Sequence, residues 1–176
     1  VASRTPATRA ARALAPPPWP PSSATANREP SSTTTTPSLA TLQTYDAVLV
    51  WNQTPYNNRA TLGDNLADYI DGGGGVVLAT FATAGFLNSN PGGRFVSGGY
   101  GLITFGSNTG GSATLGSVAL PADSLMTGVN SFNGGNGSFR PEASATLRSG
   151  AIRVASWSDG APLVVKQQFG SRYRVD

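Results

Sequence analysis

From Tyr45 to Trp51 the chain is apolar almost without a break, interrupted only by Asp46. A continuous run of this length, rather than an alternating one, predicts a β-strand covered on both faces. Residues 52–58 are polar and include Pro55, which predicts a loop. Leu62, Leu66, Tyr69 and Ile70 then fall at i, i+4, i+7 and i+8 and draw one apolar stripe along a helix. Asn57 or Asn58 is placed to cap its N-terminus, and Gly72 to end it in the left-handed conformation. Residues 76–81 form a second apolar run. Strand, helix and strand in this order predict a parallel β-α-β crossover over residues 45–81.

Beyond Ala82 the pattern changes to short runs separated by glycine-rich turns. Strands are expected at 100–105, 113–120, 145–147, 152–157, 163–167 and 171–175, with one helical turn at 121–126 after Pro121. Gly-Gly pairs at 92–93, 98–99, 110–111 and 134–135 mark loops. Residues 1–38 are of a different kind: Ala, Pro, Arg, Ser and Thr, with Leu14 and Trp19 almost the only large apolar groups. Such a segment buries too little surface to offset its ordering entropy and reads as a low-complexity arm. The expected division is therefore an arm over 1–38 and a single α/β domain over 39–176. Its class is a three-layer flavodoxin-like (Rossmann-like) parallel sheet, incomplete at the N-terminus and β-rich in its C-terminal half.

Composition mostly removes chemistries. The chain has no cysteine and no histidine, so disulfides, thiolate nucleophiles, the usual zinc ligands and Ser-His-Asp catalysis are all excluded. No metal site or cofactor is expected. Charged residues are 12 % of the chain, against about 25 % in ordinary globular domains. Serine, threonine, asparagine and glycine must dress the surface instead, which fits a secreted or cell-envelope protein. The net charge of +3 is accounted for by Arg4, Arg9, Arg12 and Arg28 against Glu29. The remainder is neutral and offers no charge support for nucleic acid. No apolar run is long enough to span a membrane.

The segment from Tyr45 to Trp51, followed by the segment from Leu62 to Ala79, resembles the class I glutamine-amidotransferase-like superfamily, with ThuA-like and flavodoxin-like members nearest in pattern. Ser124 to Phe132 and Trp157 to Val165 are similar to later segments of that family. The resemblance implies a nucleophilic cysteine at the turn after the strand at 76–81, with a histidine and a carboxylate later. Here that turn reads Thr80-Phe81-Ala82-Thr83-Ala84. With no histidine either, amidotransferase activity is not expected, and a non-catalytic binding or structural module is.

Ligands of open α/β sheets bind beyond the carboxyl ends of the parallel strands. Trp51, Asn52, Thr54 and Tyr56 after the first strand, and Thr80, Phe81 and Thr83 after the second, are the residues expected there. Amides, hydroxyls and aromatics in this position suit a neutral polar ligand such as a sugar. A hydrolase acting on a glycoside or ester would instead draw on Asp123, Glu142 and Asp159 as acid and base. Asp159-Gly160 fits a hairpin turn better. Asp64 and Asp68, four residues apart on the helix, read as a solvated face. Gly72 to Gly75 follows a helix and precedes a strand, the reverse of a phosphate loop. Lys166, within an apolar run, reads as an edge-strand lysine that discourages aggregation. Asn52-Gln53-Thr54 and Asn136-Gly137-Ser138 match glycosylation acceptors. Open sheet edges, or the arm, would favour a homo-oligomer, and a self-associating domain fragment is a further possibility.

Overall fold

The computed structural model describes residues 35–176 apart from 80, 86, 87, 105, 170 and 171. The described residues belong to one compact unit spanning 31–176; the expected arm lies outside them except for its last four residues. A short helix, α1 (Leu39–Leu42), precedes the crossover. Its cap is Ser38, whose side chain accepts from the Thr41 amide. Then come β1 (Ala47–Val50), α2 (Arg59–Asp71) and β2 (Gly75–Leu78), with β1 and β2 parallel and in register from Ala47 against Gly75 to Val50 against Leu78. The predicted β-α-β unit is present.

Asn58 caps α2 by accepting from the Thr61 amide. Termination differs from expectation by one residue. Gly72 is still right-handed at φ −75°, and Gly73 at φ +92° is the left-handed residue. The difference has a local cause: the Gly72 amide still finds Asp68 O, and the Gly73 and Gly74 amides fold back onto Ile70 O and Tyr69 O. Leu62, Leu66, Tyr69 and Ile70 turn inward as the spacing predicts and pack with Val76, Leu78 and Phe95. The Tyr69 hydroxyl donates to Tyr45 O at 2.8 Å, tying helix to strand entry.

Among the described residues the sheet has six strands in the order β1-β2-β8-β7-β6-β4, where β4 is Leu115–Val118, β6 is Ile152–Trp157, β7 is Pro162–Phe169 and β8 is Arg172–Val175. β2 and β8 are parallel, whereas β7 is antiparallel to β8, β6 to β7 and β4 to β6. The sheet is therefore mixed, not wholly parallel. A short connection explains this: β6 and β7 are joined by Ser158–Ala161, long enough for a hairpin and too short for a crossover. A separate antiparallel pair joins β3 (Asn108–Gly110) to β5 (Phe139–Pro141). The strands expected at 100–105 and 145–147 shrink to one isolated bridge between Ile103 and Leu147. The turn expected at 121–126 is a 3-10 turn at Ser124–Met126, capped by Asp123.

Two expectations about strand position are overturned. Among the described residues β1 is an edge strand, and its outer face is open, with Leu49 61 % and Trp51 60 % exposed. Val48 and Val50 pack against the α2 core while the alternate positions face solvent. A continuous apolar run reports only that both faces tolerate apolar groups, not that both are covered. Conversely β7 is internal, so Lys166 is no edge lysine; it forms an ion pair with Asp123.

A helix the pattern did not predict, α3 (Gly93–Ser97), lies against α2. Its approach depends on Gly63, where a Cβ would sit 2.0 Å from Gly92 O. Asp64 Oδ1 accepts from the Arg94 amide at 2.7 Å, and the Arg94 guanidinium pairs with Asp68 and, at 2.8 Å, with Asp71. The acidic stripe on α2 is thus a clasp for α3 rather than a purely solvated face.

Candidate functional site

β1, β2, β8 and β6 all run the same way, so their carboxyl ends meet on one side of the sheet. A groove of about 480 Å³ opens there, within the usual range of small-ligand sites. It is lined by Phe81 and Thr83 after β2, Asp176 after β8, Trp157 at the end of β6, Phe139 on β5 and Phe132 in the preceding loop.

Each wall has a local cause. After β2 the chain turns back, with the Ala82 amide on Ala79 O and the Ala84 amide on Phe81 O. Phe81 takes φ +61° in this turn. Large side chains seldom occupy that region, and such strain gathers at ligand sites. The turn lays the Phe81 ring against Phe139, with centroids 4.9 Å apart. Phe132 meets Trp157 at 5.2 Å, tilted by 60°. Both are arrangements aromatic rings prefer over a face-to-face sandwich.

Arg140 stands over the Trp157 ring at 5.4 Å. Its guanidinium is engaged elsewhere: it pairs with Asp159 at 2.6 Å and donates to Gly111 O at 2.9 Å. Asp159 sits in the β6–β7 turn, where Oδ1 also accepts from the Ala161 amide. The hydrogen bond from Arg140 holds its carboxyl below the usual range.

Asp176 differs. Its Oδ2 accepts from the amides of Leu102 at 2.5 Å and Ile103 at 3.0 Å. Burial raises its pKa to about 6, against the opposing pull of those two amides and of Arg174. Arg174 does not reach it as a salt-bridge partner; it donates to Tyr100 O and Gln167 Oε1.

The predicted ligand residues divide. Phe81 and Thr83 line the groove. Thr80 lies outside the described residues. Trp51 is exposed just past β1, and Thr54 is exposed in the following loop. Asn52 is buried, and its amide nitrogen is committed to Thr54 O and Ser89 O. It fastens the loop rather than presenting itself, and burial also removes it as a glycosylation acceptor; Asn136 is exposed. Tyr56 packs into the α2 core, where its hydroxyl is buried without a partner.

The predicted carboxylates are not brought together. Asp123 is held by Lys166, with the Asp123 side chain 5 % exposed. That hydrogen bond, helped by the Leu125 amide, lowers its pKa. Asp159 is held by Arg140. Glu142 accepts from Ser144 at 3.3 Å. No hydrogen bond joins any two of them among the described residues. Groove residues the sequence reading missed are Phe132, Phe139, Trp157 and Asp176. Only Trp157, closing a strand at the carboxyl end of the sheet, carried a usable signal. No protein-family model, curated protein or solved structure matches this chain.

Proposed function

We propose that this chain is a non-catalytic binding module of flavodoxin-like, glutamine-amidotransferase-like descent that keeps the ligand position of such a domain without its nucleophile. The observation that carries the reading is Phe81. It stands in a left-handed turn at the carboxyl end of β2, where the resemblance places a reactive cysteine, and contributes a ring to the groove instead. The hydrolase reading has less support, because Asp123 and Asp159 are tied into ion pairs with depressed pKa values. Neither is suited to hold a proton near neutral pH.

The test pairs a turnover screen with a binding screen. Glutamine, chromogenic glycosides and esters should all be left unchanged, while a small-ligand panel followed by amide and indole NMR shifts should perturb Phe81, Phe139 and Trp157. Turnover abolished by Asp123→Ala, Glu142→Ala or Asp159→Ala would establish the hydrolase and end the binding reading. A second reading, self-association, is favoured by β1, which has one side unpaired among the described residues, and by the exposure of Leu49 and Trp51. Concentration-dependent sedimentation that Leu49→Lys removes would support it, and a monomer at all concentrations would exclude it.

A further inference from the structure

The groove presents aromatic rings and the Asp176 carboxylate, which has no salt bridge among the described residues. Its Oδ2 takes two backbone amides, and the charge of Arg174 reaches it without a direct ion pair. The other charged groups near this end of the sheet are matched. Arg140 belongs to Asp159, Lys166 to Asp123, and Arg174 turns to Tyr100 O and Gln167 Oε1. Hydrogen-bonding capacity in the walls is small. The Ser138 hydroxyl is spent on Gly111 O and on Arg140, which leaves the Thr83 hydroxyl. A sugar needs several directed hydrogen bonds along its ring. A cation with an apolar surface needs ring faces and one counter-charge, and the groove supplies both.

We propose that the groove binds an organic cation of the alkylammonium class, with Phe81, Phe132 and Phe139 against its carbon-bound surface and the Asp176 carboxylate as its counter-ion. This rests on the reading of the groove as a binding site and names its ligand class. Desolvation already raises the pKa of Asp176 to about 6, so binding draws on the ionised form. Only about a tenth of the sites are ionised one unit below the pKa, which makes the apparent affinity about tenfold weaker at pH 5 than at pH 8.

The experiment titrates the full chain with choline and, separately, with methyl glucoside at pH 5 and pH 8, following backbone and indole shifts by NMR. Choline should shift Trp157 and Phe139, bind about tenfold more tightly at pH 8, and lose at least about tenfold in affinity at pH 8 in Asp176→Asn. The unmodified chain carries the pH arm, so the result does not hang on the variant folding. Glucoside binding with no choline binding, or choline binding indifferent to both pH and Asp176→Asn, overturns the cation proposal and leaves a binding groove standing. No shift with either probe, together with none from the wider ligand panel, removes the groove as a site altogether.

Discussion

Replacing Asp176 with asparagine should stabilise the protein above pH 6 and do so less, or not at all, near pH 4. The carboxyl is taken out of water beside Leu102 and Ile103 and receives two amide donors but no salt bridge among the described residues. Its pKa rises from 3.8 to about 6. At about 1.36 kcal/mol per unit, a shift of roughly two units corresponds to about 3 kcal/mol between the two protonation states. The sign follows from proton binding. Between pH 3.8 and about 6 the folded chain holds a proton that the unfolded chain has released, so stability falls as pH rises through that window. Below it both states are protonated, and above it both are ionised with the full penalty in place. An asparagine oxygen keeps the two amide bonds and carries no charge. The assay is urea unfolding followed by tryptophan fluorescence for both chains from pH 4 to pH 8. The stability difference between variant and parent should grow by up to about 3 kcal/mol across that range. Subtracting one chain from the other cancels the opposite-signed contributions of Asp123 and Asp159, whose pKa values are lowered. A difference that stays constant with pH would mean that Asp176 titrates as an ordinary carboxylate and would refute the argument.

Tyr56→Phe should raise the melting temperature, because the hydroxyl it removes is buried without a hydrogen-bond partner; leaving such a group unpaired costs about 1–3 kcal/mol, and calorimetry would read the gain. Gly63→Ala should destabilise by about 1–3 kcal/mol or more, since its methyl would collide with Gly92 O; proteolysis near α3 should rise with it, and an unchanged melting temperature would contradict the close approach. Asp123→Ala should lower the urea midpoint by leaving Lys166 on an internal strand without its carboxylate partner, and Asp123→Ala combined with Lys166→Met should recover part of the loss.

What was legible in the sequence was local. The stripe Leu62, Leu66, Tyr69, Ile70 and the cap Asn58 are consequences of helical periodicity and backbone donors, so they appear in the structure where the pattern puts them. β6 likewise occupies the expected residues. What was not legible depends on partners distant in the chain. Where β1 stands in the sheet depends on distant strands: β2, its one partner among the described residues, pairs on its other side with β8, about a hundred residues later. The internal position of Lys166 has a nearer cause, the antiparallel pairing of β7 with β6 on one side and β8 on the other. α3 has only five residues and a glycine start, and it is held by Asp64 and Asp68 rather than by its own propensity.

The groove shows the same division, and it explains why only Phe81 and Thr83 of the expected ligand residues line it. Sequence order places Phe81 and Thr83 at a carboxyl strand end because the crossover is local. It cannot show that β8 and β6 end on the same side, and those two strands supply Asp176 and Trp157. Asn52 has the chemistry of a ligand contact, yet a buried amide must first satisfy its surroundings, and its donors go to Thr54 O and Ser89 O. Composition alone suggested a polar site for a neutral ligand. Once the polar groups are followed to their partners, the hydroxyl and amide donors near the groove are largely consumed, and what stays open is aromatic surface and one carboxylate. That residue of unmatched chemistry, rather than the residue types first expected there, is what a ligand would meet.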